Sequence, residues 1–222
     1  MIRLAILLAL GLASIASAQV PPSSAEIGSY DGLHLAAHTG DVEAIRRLVA
    51  EGADLEARDG RGRTAAHVAA FASEDEALTA LAEAGADMNA LEGQAYDVVT
   101  IAAVADDPEL LARAIALGND PGLTTSPYDG TALIAAAHLG HVEVVRILVE
   151  AGAPLDHVNN LAWTALIEAV VLGDGGPRHQ RVVQILLEAG ADREIPDGRG
   201  RTPLQLAEMA GYTEIARLLR GD

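Results

Sequence analysis

The chain contains no cysteine and no lysine, and aromatic residues make up only 3% of its 222 positions. Without cysteine there are no disulfides, no thiolate metal site, no lipid attached through sulfur and no thiol nucleophile. Without lysine no phosphate-binding loop of the G-x-x-x-x-G-K-[ST] type can form, and all fifteen cations are arginines. With six aromatic side chains in all, a core has to be built from Ala, Leu, Val and Ile. Helices approaching closely through small residues suit that material better than a sandwich or barrel, which favours β-branched and aromatic side chains. Positive charge is also scarce: 32 acidic residues leave a formal net charge of −17. Phosphate backbones and anionic lipid surfaces would repel such a chain, so nucleic acid and membrane-surface binding are excluded as leading functions. A hydrophobic content of 50% against 21% charged residues excludes a disordered chain.

The first eighteen residues read as an export signal. Met1-Ile2-Arg3 is a short cationic start, Leu4 to Ile15 is almost wholly apolar, and Ala16-Ser17-Ala18 is a small-x-small cleavage sequence. The apolar run falls short of the roughly 20 residues a bilayer-spanning helix needs. Cleavage after Ala18 leaves Gln19 at the new terminus and a periplasmic or secreted product, free of the membrane. The competing reading is an uncleaved anchor. Residues 19–29, with Pro21-Pro22-Ser23-Ser24, are expected to be a flexible leader.

The remainder repeats. Segments beginning at Asp31, Thr64, Asp97, Thr131, Thr164 and Thr202 align, as in Thr64-Ala65-Ala66-His67-Val68-Ala69-Ala70 and Thr202-Pro203-Leu204-Gln205-Leu206-Ala207. Their spacing is 33 or 34 residues until the last step, which is 38. A second landmark keeps the same register: Gly52-Ala53-Asp54, Gly85-Ala86-Asp87, Gly152-Ala153-Pro154 and Gly190-Ala191-Asp192. Length and signature resemble the ankyrin repeat, with its T-P-L-H-x-A motif. The resemblance implies an all-α solenoid of about six stacked helix-turn-helix repeats, starting near residues 30, 63, 96, 130, 163 and 201, with short β-hairpin fingers between them.

Local physics agrees with that resemblance. Thr131 can cap an inner helix, Gly140 can end it in the left-handed region, and Val142, Val145, Leu148 and Val149 give the outer helix one apolar stripe. Single repeats of this kind cannot bury their own faces, so stability has to come from stacking. The third repeat is the most degenerate, with Val98-Val99-Thr100 in its signature and Gly118-Asn119-Asp120-Pro121 after its outer helix; it is expected to be the weakest layer. The fifth gains five residues around Gly173-Asp174-Gly175-Gly176-Pro177-Arg178-His179-Gln180. That stretch resembles an insertion in a group of bacterial ankyrin proteins. It is expected to be a surface loop, with Arg178 and His179 as a cationic spot.

The sequence offers little chemistry. No G-x-S-x-G elbow and no H-E-x-x-H pair occurs, so no hydrolase or zinc-protease reading has an anchor. His34 and His67 hold the signature His position, where the imidazole is expected to bond backbone at the base of a finger. His138 and His141 supply too few ligands for a metal. No catalytic residue, metal or cofactor is therefore expected, and the function expected is that of a non-enzymatic scaffold for protein–protein interaction. Two rows could bind the partner. The residue before each signature position gives Tyr30, Arg63, Tyr96, Gly130, Trp163 and Arg201, types enriched at binding hot spots. The inner helices offer Leu35 with His38, Val68 with Phe71, Ile101 with Val104, Ala135 with His138, Glu168 with Val171, and Leu206 with Met209, one turn apart on one face. The anchors expected are Tyr30, Arg63, Phe71, Tyr96, Val104, His138, Trp163, Val171 and Arg201, on a monomer that favours a basic protein partner. The alternatives are a periplasmic protein sequestering a metal or small molecule, and a chaperone-like accessory to an exported enzyme.

Overall fold

The computed structural model describes residues 19–222, so the expected signal segment, 1–18, lies outside the described residues. A helical turn, α1 (Ser24–Ile27), is followed by six helix pairs. The inner helices are α2 (Gly32–His38), α4 (Ala65–Ala72), α6 (Val98–Ala105), α8 (Ala132–Leu139), α10 (Ala165–Val171) and α12 (Pro203–Ala210). The outer helices are α3 (Val42–Ala50), α5 (Asp75–Glu83), α7 (Pro108–Ala116), α9 (Val142–Glu150), α11 (Pro177–Glu188) and α13 (Thr213–Arg220). Each inner helix packs on the next inner helix, each outer helix on the next outer one, and each pair on itself. The layers therefore share one aliphatic seam, in which Ala37, Leu78, Ala102, Leu133, Leu148, Leu166, Val182 and Ala207 are fully buried.

Capping explains where the last four inner helices start. Asp97, Thr131, Thr164 and Thr202 each accept a hydrogen bond from the backbone N–H three residues on, at 2.8, 3.3, 3.3 and 3.4 Å. Each cap contributes about 1 kcal/mol by satisfying an orphan donor. Gly140 ends its helix at φ 72°, as the sequence reading required.

The third layer replaces the missing signature with buried polar bonds. Asn119 stands where the other repeats have the landmark alanine and is 2% exposed. Its Oδ1 accepts from Val99 N–H at 3.0 Å, and its Nδ2 donates to Asp97 Oδ2 at 2.8 Å and to Asn89 Oδ1 at 3.2 Å. The hydroxyls of Thr100 and Thr125 pair at 3.0 Å beside it.

Three expectations need correction. The fingers are not β-hairpins: among the described residues the one β-type contact is an isolated bridge between Thr125 and Gly130. Instead, the first finger residue folds the loop around its own side chain. Asp59, Glu92, Ser126, Asn159 and Asp197 each accept from the backbone N–H groups two and four residues on. This side-chain cradle takes the donors a strand ladder would have used.

Residues 19–29 are docked where the sequence suggested a mobile leader. Ser23 and Glu26 form a capping box around α1, Glu26 bonds Arg61 at 3.0 Å, and Val20 O accepts from Arg63 Nη2 at 2.7 Å. The fifth-repeat insertion is no free loop either. Pro177 occupies the first turn of α11, which runs twelve residues where its neighbours run eight or nine. His179 is buried, with Nε2 against His138 O and Nδ1 against Asp174 Oδ1, both at 2.9 Å. Tyr212 Oη donates to Gly173 O at 3.0 Å and pins the other side. Only Arg178 of the expected cationic pair is exposed.

Candidate functional site

The two expected rows separate once side chains are placed. In the finger row, Arg63 is fully buried and Tyr96 is 6% exposed, so neither reaches a partner. The cause is the finger cradle, which turns the residue before the signature inward against the next inner helix. Arg63 Nη1 pairs with Asp59 Oδ2 at 3.1 Å and Glu26 Oε1 at 3.4 Å, and its guanidinium lies 5.6 Å from the centre of the Phe71 ring. Tyr30 is half-buried and donates to Asp59 Oδ2 at 2.9 Å. Arg201 is partly covered and held by Asp197, and Trp163 packs half-buried against the core.

The outward row lies two residues earlier. It holds Arg61, Gln94, Tyr128, Leu161 and Arg199, of which Arg61, Leu161 and Arg199 are exposed. Leu161, together with Val158 on the same finger, is among the few large apolar side chains left open to solvent. Sequence reasoning missed both. The available signal was Leu161 at a place where other fingers carry Gln, Tyr or Arg.

On the inner helices the first residue of each pair mostly sinks into the stack. Val68, Ile101, Glu168 and Leu206 are buried, whereas Leu35 is 43% exposed at the open end. The second residue of each pair stays at the surface. Phe71, Val104 and Val171 are half-buried, His138 is exposed, and Met209 is 57% exposed at the other end. The structure thus brings Phe71, Val104, His138 and Val171 onto successive, directly packed inner helices, as one shallow apolar strip.

The signature histidines do structural work. His67 Nε2 faces Tyr96 O at 3.1 Å and its Nδ1 faces the Thr64 hydroxyl at 2.8 Å, while His34 Nε2 faces Arg63 O at 3.0 Å. Burial pushes the His67 imidazole down to about 4. Unfolded chains take up that proton first as pH falls below 6.5, so His67 withdraws stability toward acid. His141, at the head of α9, points Nδ1 at Ala103 O at 2.8 Å. Among the described residues no group of three His, Asp or Glu is arranged to hold a metal ion.

Glu168 is the unusual member of the strip. It sits at a position that is Leu35, Val68, Ile101, Ala135 and Leu206 in the other repeats, and it is 4% exposed. Oε1 accepts from Asn159 Nδ2 at 3.0 Å, tying the finger cradle to α10. Oε2 is buried without a hydrogen-bond partner and lies 3.7 Å from His138 Nδ1. Burial pushes the carboxyl up to about 7 from an ordinary 4.5. Between those values the folded protein holds a proton that the unfolded chain has released, so stability is full below pH 4.5 and falls as pH rises through 7. Glu168→Gln keeps an acceptor for Asn159 and removes this loss. Urea unfolding should show the variant more stable than wild type by about 3 kcal/mol at pH 8, with the difference shrinking towards pH 5. Equal stabilities at pH 8 would contradict the assignment.

Comparison with known proteins agrees with the fold. The family model for ankyrin repeats in three copies matches residues 8–92 and 99–197, and the single ankyrin repeat matches 199–222. The ankyrin repeat protein YahD of Escherichia coli (strain K12) is 36% identical over 186 residues, 83% of this chain and 92% of that protein. A crystal structure of an ankyrin repeat domain from Acinetobacter baumannii AYE superposes with a TM-score of 0.80 at 42% identity, covering 85% of this chain and 96% of that one. The ankyrin repeat protein EF0377 gives 0.79 at 32% identity, over 86% and 98%.

Proposed function

The chain belongs to the ankyrin repeat family, whose repeats serve as protein-binding scaffolds, and from that premise we propose that it is an exported, non-catalytic scaffold that captures a protein partner along its inner-helix face. One observation carries the choice of face: Phe71, Val104 and Val171 stay at the surface on α4, α6 and α10, with His138 on α8 between them, although the chain has ample charge to cover them. The periplasmic or secreted location rests on the Met1–Ala18 pattern. No helix among the described residues is long and apolar enough to cross a membrane. The net charge of −17 favours a partner with a basic docking surface and hastens encounter at low salt. The scaffold itself is taken as a monomer, since an open stack needs no second copy to complete a site.

Val104→Asp tests the reading, because it places a charge in the strip without touching the seam. Immobilised wild type should retain a defined protein from the exported fraction of its native host, and the variant should lose it with an unchanged unfolding midpoint. Equal retention by both would move the docking surface elsewhere.

A further inference from the structure

We infer that the inner face over repeats four and five is a receptor for one cationic side chain, an arginine or lysine of the partner, with Glu168 as its acceptor and His138 as the cover. This rests on the reading of the inner-helix face as the docking surface and adds to it the chemistry of the occupant. A carboxyl in an aliphatic seam is costly unless both oxygens find partners. Here Asn159 satisfies only Oε1, and Oε2 stays without a donor under the exposed His138 ring. Among the described ion pairs Glu168 has one ionisable neighbour, His138, at 3.7 Å, and no arginine reaches it.

The surroundings fit a single long cation. Val171 lies one turn along α10 from Glu168, and Val104 and Phe71 continue the strip, an apolar bed for the methylene stem and for flanking apolar residues of the partner. His138 is 44% exposed at its side chain, and the incoming cation would displace its ring toward solvent. Its imidazole is held below the ordinary value by burial first and then by His179 and His141, so near neutral pH it does not supply the missing positive charge. A guanidinium or ammonium would supply it, and the chain's own excess of acid steers such a group inward. Binding would also expel the proton that burial keeps on the carboxyl, so affinity should rise with pH between about 5 and 8.

The test uses the whole mature chain with ¹³C-labelled glutamate and histidine side chains and two capped pentapeptides, Ala-Val-Arg-Val-Ala and its citrulline counterpart, which keeps shape and loses charge. The arginine peptide should shift the Glu168 carboxyl and His138 ring signals saturably and lower the Glu168 titration midpoint by at least one pH unit. The citrulline peptide, and the arginine peptide on Glu168→Gln, should bind at least tenfold more weakly. A His138→Ala variant should bind the arginine peptide at least as well as wild type. No saturable shift with the arginine peptide, or equal binding of the two peptides, overturns the receptor. Loss of partner capture by Val104→Asp alongside unaltered capture by Glu168→Gln would leave the docking face standing and remove only its cationic occupant.

Discussion

Leu133→Ala should lower the free energy of unfolding by about 3 kcal/mol. Leu133 is fully buried in α8, and that helix packs on the inner helices both before and after it as well as on its own outer helix. Shortening it removes three carbons from the middle of the seam, and rigid helices on three sides cannot collapse into the gap. A stack is held together by contacts between neighbouring layers, so damage at the centre also weakens coupling between the first three repeats and the last three. Equilibrium urea unfolding should show a lower midpoint and a shallower transition. A loss under 1 kcal/mol with unchanged steepness would mean that the layers are stabilised individually.

Arg63→Ala should cost a comparable amount, about 3 kcal/mol, for a different reason. Arg63 is fully buried, and its removal leaves Asp59 without its cation beside Tyr30 and leaves Glu26 with Arg61 alone. Asp59 is held below its ordinary value despite burial, by hydrogen bonds from Arg63 and Arg61 backbone N–H, from the Tyr30 hydroxyl and from the Arg63 side chain. Val20 O loses its donor at the same time, so α1 should detach. Hydrogen exchange should speed up at Ile27 and Gly28, whose backbone N–H groups bond Ser23 O and Ser24 O, while the Leu148 region stays protected. Since the pair is buried, added salt should not rescue the variant. Unchanged exchange at Ile27 would show that the turn is held by other contacts.

The fold was legible because its determinants are local and repeated. Thr131 and Gly140 mark helix ends by backbone chemistry alone, and the 33-residue register follows from two landmarks that never drift apart before the insertion. The finger row misled because residue type says nothing of direction. Arg63 and Trp163 have hot-spot chemistry, but the cradle formed by Asp59 or Asn159 rotates the position before the signature inward. That rotation depends on a side-chain-to-backbone bond whose meaning appears only when the loop is closed. His179 was misjudged similarly: its partner His138 O comes from the preceding repeat, 41 residues away, although Asp174 lies within the insertion. Phe71, Val104, His138 and Val171 were readable because helical periodicity fixes their face regardless of what the loops do. Glu168 was read only as one of the inner-helix row, and its lone oxygen became visible only with Asn159 and His138 in place.

The decisive measurement is cross-linking from the strip itself. A photoreactive residue in place of Val104 should yield one discrete adduct with a protein partner in the native host. The same residue in place of Glu150, exposed at the end of outer helix α9, should yield none. An adduct from position 150 and none from position 104 would contradict the account, since capture would then run along the outer helices and the apolar inner strip would have no occupant.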